Sequence, residues 1–151
     1  MTGNAKILLI DDDKNIRQTL TIVLQEEGYI VDTAENGKEA IEKSFANFYN
    51  LAIVDWRLPD IEGTVLITQL KETTPKMAKI MLTGYPSMNT AIDAVNQHAD
   101  AFLIKPVDVE ELLKKIRELL ILQAENKEFC ETKIVSFIET RTKEILETDG
   151  R

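Results

Sequence analysis

The chain has a single cysteine and a single histidine. Cys130 has no intrachain disulfide partner, which points to a reducing, cytoplasmic setting. With His98 as the sole imidazole there is no ligand set for structural zinc. No run approaches the roughly 18 apolar residues of a membrane helix. The opening MTGNAKILLI lacks the basic start and cleavable small-residue site of a signal peptide. Basic residues are also short: 18 Lys+Arg stand against 26 Asp+Glu, a net charge of −8. A chain of that sign is a poor partner for nucleic-acid phosphates. What remains is an ordinary globular balance of 44% hydrophobic and 29% charged residues over 151 positions. That is enough for one core and too little for two.

Short apolar runs alternate with longer amphipathic stretches. The runs are Lys6–Ile10 (KILLI), Tyr29–Thr33 (YIVDT), Leu51–Val54 (LAIV), Lys79–Leu82 (KIML) and Ala101–Ile104 (AFLI). KILLI, LAIV and AFLI are apolar throughout and suit strands buried on both faces of a parallel sheet; YIVDT suits a strand nearer the edge. Helical spacing links Ile16, Leu20, Val23 and Leu24, with Asp13 as a cap and Gly28 as a stop. Further helices are predicted at Gly37–Phe48, Val65–Leu70, Ser87–Gln97 and Val107–Leu122. The alternation predicts a doubly wound α/β fold, a five-stranded parallel sheet with helices on both faces. Beyond Leu122 the pattern changes. Gln123–Glu128 is polar, and then Cys130, Ile134, Phe137, Ile138 and Ile145 form a stripe that predicts an amphipathic helix over Phe129–Glu147. The expected organisation is one domain at 1–122 and a helical extension at 123–151, with no separate output domain.

The chemistry-bearing residues fall at the ends of predicted strands. Asp11, Asp12 and Asp13 follow the first, Asp55 the third, Thr83 the fourth and Lys105 the fifth. Carboxyl ends of parallel strands line the crevice where such sheets bind ligands. Clustered carboxylates resist joint ionisation unless a cation relieves them, and Mg2+ takes hard oxygen ligands. Asp12 and Asp55 can each supply one oxygen, and Asp11 acts directly or through water. Lys105 and Thr83 offer a cation and a hydroxyl to a second anion. These parts suit metal-assisted phosphoryl transfer, in which a carboxylate can be the nucleophile. Asp13 reads more simply as a helix cap, and Pro59, Asp60 and Gly63 as residues that shape a loop. Trp56, next to Asp55, is the only tryptophan, so its fluorescence should report on the site. His98 reads as a surface residue and Cys130 as a small apolar contact.

In these segments the sequence resembles the receiver domain of two-component response regulators. KILLIDDDKNIR, LAIVDWRLPDIEG, KIMLTGY and ADAFLIKPVDVEELL match in order and separation over roughly Lys6–Leu122. The resemblance implies a flavodoxin-like strand order of 2-1-3-4-5. It implies Asp55 as phosphoacceptor, Asp11 and Asp12 as the acidic pair for Mg2+, and the Arg57 backbone carbonyl as a third protein ligand. It implies that Thr83 and Lys105 contact the phosphoryl group and that Pro106 follows a cis bond. Thr83 and Phe102 are the implied switch residues, altering the face built by the predicted fourth helix, fifth strand and fifth helix. Phe102 stands where tyrosine is frequent, and Arg57 and Tyr85 occupy variable positions that tune phosphoryl lifetime.

The expected donor is a sensor histidine kinase or a phosphotransfer protein, and the expected output is a contact with a downstream protein. The expected chemistry is at most self-phosphotransfer and autodephosphorylation. Nucleic-acid and membrane partners are not expected. Val107–Arg151 carries 8 basic and 11 acidic residues, a poor DNA-reading surface. An isolated amphipathic helix is marginal in water, so the tail stripe needs a partner. A homodimer contact, its own receiver and another protein are three candidates. Two rival functions have distinct marks. A Mg2+-dependent phosphohydrolase with an aspartyl nucleophile usually needs an acid two residues after it, where this chain has Arg57. A receiver-like module that is never phosphorylated would have lost acidic or lysine residues kept here.

Overall fold

In the computed structural model, residues 4–84 and 99–126 are described. They form β1 (Lys6–Ile10), α1 (Lys14–Glu26), β2 (Ile30–Ala34), α2 (Gly37–Ala46), β3 (Leu51–Asp55), α3 (Gly63–Gln69), β4 (Ala78–Thr83) and β5 (Ala101–Ile104). A last helix covers 109–126. The predicted helix at Ser87–Gln97, the tail helix at Phe129–Glu147, and Tyr85, His98 and Cys130 lie outside the described residues.

The five strands make one parallel sheet in the order β2-β1-β3-β4-β5. Side chains alternate across it, because successive strand residues point to opposite faces. Ile7, Leu9, Leu51, Ile53, Ile80 and Leu82 pack on one face against Leu20 and Leu24 of α1 and Leu112, Ile116 and Leu120 of the last helix. Leu8, Ile10, Ala52, Val54 and Met81 pack on the other against Ala40 of α2 and Leu66 and Ile67 of α3. Each fully buried leucine or isoleucine contributes about 1.5–3 kcal/mol. The predicted edge character of YIVDT holds, with β2 at one edge one residue later than expected. β5 is the opposite edge, as the implied order 2-1-3-4-5 has it, but AFLI is not buried on both faces as expected: Ile104 is 52% exposed. Uniform apolarity here marks a strand covered on only part of its surface.

Helix ends follow local chemistry. Asp13 caps α1, accepting from the N–H groups of Asn15 and Ile16, and Gly28 takes a φ of 93° just beyond its end. Asn36 caps α2 by accepting from Glu39 N, while Glu39 reaches back to accept from Glu35 N. α2 stops at Ala46 rather than Phe48, leaving Phe45 and Phe48 exposed. The last helix starts two residues later than Val107, because Asp108 caps it through Glu111 N. It also runs past Leu122. Gln123, almost fully buried, donates to the carbonyls of Asn50 (2.8 Å) and Lys76 (2.7 Å). Asn50 in turn donates to Gln123 Oε1 and accepts from Lys6 N. The helix is thereby fastened to the starts of β1 and β3, at the opposite end of the sheet from the acidic residues.

Candidate functional site

The sheet brings together the residues that the strand ends suggested. Asp55 is the last residue of β3 and Thr83 the last of β4, while Asp11 directly follows β1 and Lys105 directly follows β5. Asp11 and Thr83 are fully buried, Asp55 is 7% exposed, and Asp12 is exposed. Carboxylate oxygens of Asp11, Asp12 and Asp55 lie within 4.8 Å of one another. Lys105 Nζ stands 3.0 Å from Asp11 Oδ2 and 3.2 Å from Asp55 Oδ1. The Lys105–Pro106 bond is cis, as the resemblance implied.

Burial pushes the Asp55 carboxyl up to about 6, and the Asp11 charge pushes the same way. The Lys105 ammonium and a hydrogen bond from the Arg57 backbone oppose that rise without cancelling it. Burial alone would depress Lys105, but its hydrogen bond to Asp11 and the charges of Asp11 and Asp55 outweigh it and raise its pKa. Asp11 and Asp55 therefore share one ammonium, with Asp12 close by, and the Asp55 charge is held at a cost. A hard divalent cation matches this set: the ligands are oxygens, their charge is under-compensated, and Asp12 opens the cluster to solvent. Among the described residues, the carboxylates of Asp11, Asp12 and Asp55 are the group placed to hold it.

Two contacts around the site were not visible in the sequence. Arg17 of α1 donates to the Asp11 carbonyl at 2.7 Å and lies 3.7 Å from Glu35. Asp60 accepts from Gly37 N at 2.8 Å and Lys38 N at 2.9 Å, so the β3–α3 loop grips the first turn of α2. A cap normally sits beside its helix in sequence; this one comes from over 20 residues away, so no local pattern reveals it. Gly63 is a third hidden requirement. A Cβ there would meet the Asp55 carbonyl oxygen at 2.3 Å, so α3 starts against the end of β3 only because the residue is glycine. Trp56 and Phe102 are partly buried against the α2–α3 side of the core. Phe102 pairs with Met81, and Thr83 with Ile104, so Thr83 and Phe102 share a sheet face on adjacent strands.

A parallel α/β sheet with an acidic cluster, a lysine and a buried threonine at its carboxyl edge defines a narrow class of phosphate-handling modules. Residues 7–117 match the response regulator receiver domain family. The chain belongs to that family, the phosphorylation-switched signalling modules of two-component systems. It is 34% identical over 117 residues to the response regulator ArlR of Staphylococcus saprophyticus, covering 76% of this chain and 52% of that protein. The chain thus spans about half the length of the curated relatives it matches. Among solved structures, a CheY-like receiver domain protein from Methanospirillum hungatei superimposes with a TM-score of 0.77 at 40% identity, covering 82% of this chain and 98% of that one. A Burkholderia pseudomallei response regulator with a phosphorylated aspartic acid and a calcium ion gives 0.71 at 35% identity, covering 82% and 73%. Receiver domains typically bind Mg2+ at their acidic pocket, which corresponds here to the aspartate cluster. Response regulators interact with histidine kinases and with downstream targets. Among the described residues, no helix is long and apolar enough to cross a membrane.

Proposed function

We propose that this chain accepts a phosphoryl group on Asp55 from the phosphohistidine of a sensor histidine kinase or phosphotransfer protein, with Mg2+ bound by Asp11, Asp12, Asp55 and the Arg57 carbonyl. The observation that carries this is the nearly buried Asp55 carboxylate, 3.2 Å from Lys105 and clustered with two further carboxylates.

An Asp55 oxygen attacks phosphorus, an O–P bond forms and the N–P bond of the donor, protonated on its other ring nitrogen, breaks, leaving an acyl phosphate and a neutral imidazole. With a pKa of about 6, Asp55 is mainly the ionised nucleophile at neutral pH. Lys105 already faces it and balances charge on the incoming oxygens. Thr83, one strand over, donates its hydroxyl to a phosphoryl oxygen. Mg2+, when bound, neutralises the anions that must approach one another. Movement of Thr83 alters the packing available to Phe102 on the same sheet face, and that change is read by a downstream protein at the face of β5 and the last helix. The division into a receiver at 1–122 and an extension at 123–151 belongs to this proposal, with Gln123 the point where the extension is fastened. So do a homodimer contact through that extension and a cytoplasmic location.

The test is intact mass after incubation with acetyl phosphate, with Mg2+ and with EDTA, on wild type and Asp55→Asn. One Mg2+-dependent phosphoryl adduct, absent in the variant, is expected. An adduct of equal yield on Asp55→Asn overturns the assignment.

A further inference from the structure

The two loops that carry the candidate cation ligands are tied to one and the same turn. The β1–α1 loop bears Asp11 and Asp12; Arg17 holds the Asp11 carbonyl and faces Glu35 at the start of the β2–α2 turn. The β3–α3 loop bears Arg57; Asp60, at its tip, takes the N–H groups of Gly37 and Lys38 at the end of that turn. Within the turn, Glu39 accepts from Glu35 N, which joins the two attachments. The approach is close enough that a Cβ on Gly37 would lie 2.2 Å from Ile61 Cγ2. The β3–α3 loop is itself closed, with Gly63 N bonded to the Trp56 carbonyl at 2.7 Å and Arg57 bridged to Glu62. Its tip therefore moves as a unit with Arg57.

We infer that Asp60 is a positioning residue for the cation site: its grip on the first turn of α2 sets the β3–α3 loop, and with it the Arg57 carbonyl, against the loop that carries Asp11 and Asp12. α2 already has its own cap in Asn36, and Glu39 ties the preceding Glu35 N to its first turn. The two further bonds from Asp60 therefore do more than finish a helix end; they join it to another loop. The bonds from Gly37 and, less strongly, Lys38 hold the Asp60 carboxyl below its ordinary pKa, so it stays an acceptor throughout the neutral range. Outer residues that orient metal ligands typically contribute 10–100-fold to metal affinity. Asp60 touches neither cation nor phosphoryl group and acts only through the loop.

The inference rests on the Mg2+ site proposed above, and the experiment separates the two. Mg2+ alone is titrated into full-length wild type, Asp60→Ala and Asp60→Asn, read by Trp56 fluorescence well below each melting temperature. The Mg2+-dependent rise in melting temperature is recorded as a second readout. Wild type is expected to bind. Asp60→Ala is expected to bind roughly tenfold more weakly, with the same fluorescence change at saturation. Asp60→Asn keeps one acceptor oxygen without the charge, so its loss of affinity should be smaller than that of the alanine variant. A Kd for Asp60→Ala within about twofold of wild type, alongside a lower melting temperature, makes Asp60 a helix cap and nothing more. Weakening that is equal in both variants and disappears at high ionic strength assigns the effect to lost charge and overturns the positioning role. Wild type that shows no Mg2+ response removes the cation site itself and the inference with it.

Discussion

Replacing Asp55 by asparagine should make the metal-free protein more stable, although it removes the residue at the centre of the site. The folded state holds this carboxyl at about 6, against an ordinary 3.8. At about 1.4 kcal/mol per pKa unit, the difference corresponds to about 3 kcal/mol that folding loses on ionising Asp55. The sign follows from linkage. Below an unfolded value of about 4 both states are protonated and the penalty is absent; it grows as pH rises towards 6 and is complete above it. Asparagine keeps the shape and one acceptor but never carries the charge. It also removes one of the two carboxylates that Lys105 meets among the described residues, leaving Asp11, which offsets part of the gain. A net gain of about 1–2 kcal/mol at pH 7.5 is expected, a few degrees in melting temperature for a domain of this size. The assay is urea unfolding in EDTA, at pH 7.5 and pH 4.5, followed through Trp56. The variant should be the more stable at pH 7.5, and the two curves should converge at pH 4.5. Excess Mg2+ should narrow the gap at pH 7.5, because only the wild type gains fully from binding. An asparagine variant less stable than wild type in EDTA at pH 7.5, or a gap that is unchanged at pH 4.5, would refute the reasoning.

Two further substitutions test features that position the site. Gly63→Ala places a Cβ 2.3 Å from the Asp55 carbonyl oxygen, so the strand end or α3 must shift. A stability loss of about 1–3 kcal/mol in urea unfolding is expected, together with slower acetyl-phosphate labelling of Asp55. Gln123→Leu deprives the Asn50 and Lys76 carbonyls of their shared donor at the far end of the sheet. It should cost about 1–3 kcal/mol of stability, while the yield of phosphoryl adduct at saturating Mg2+ stays at the wild-type level.

Most of the site was legible because its signal is local. Asp55, Thr83 and Lys105 each directly end or follow an apolar run, and the ends of neighbouring parallel strands must converge whatever the loops do. What the sequence hid depends on contacts between distant segments. Nothing near Asp60 says that it binds Gly37 and Lys38, and Gly63 looked like an ordinary loop former until the carbonyl beneath it was seen. Helix ends slipped for the same reason. Phe48 extends the apolar pattern of α2, yet the backbone turns extended at Asn47 and leaves Phe48 in solvent. The start of α3 has no side-chain cap to announce it. β5 misled through composition only in its burial, since AFLI is as apolar as the central strands but leaves Ile104 half exposed.

The sheet separates the core into two halves that share no side chain. Asp55 continues the alternation of Leu51 and Ile53, which belongs to the half under α1 and the last helix. Thr83 continues that of Met81, which belongs to the half under α2 and α3. A phosphoryl group at the rim would thus be anchored in one half and sensed in the other. On the proposed switch, Thr83, Met81 and Phe102 would rearrange on one face while Ile7, Leu9, Ile53 and Ile116 lie on the other.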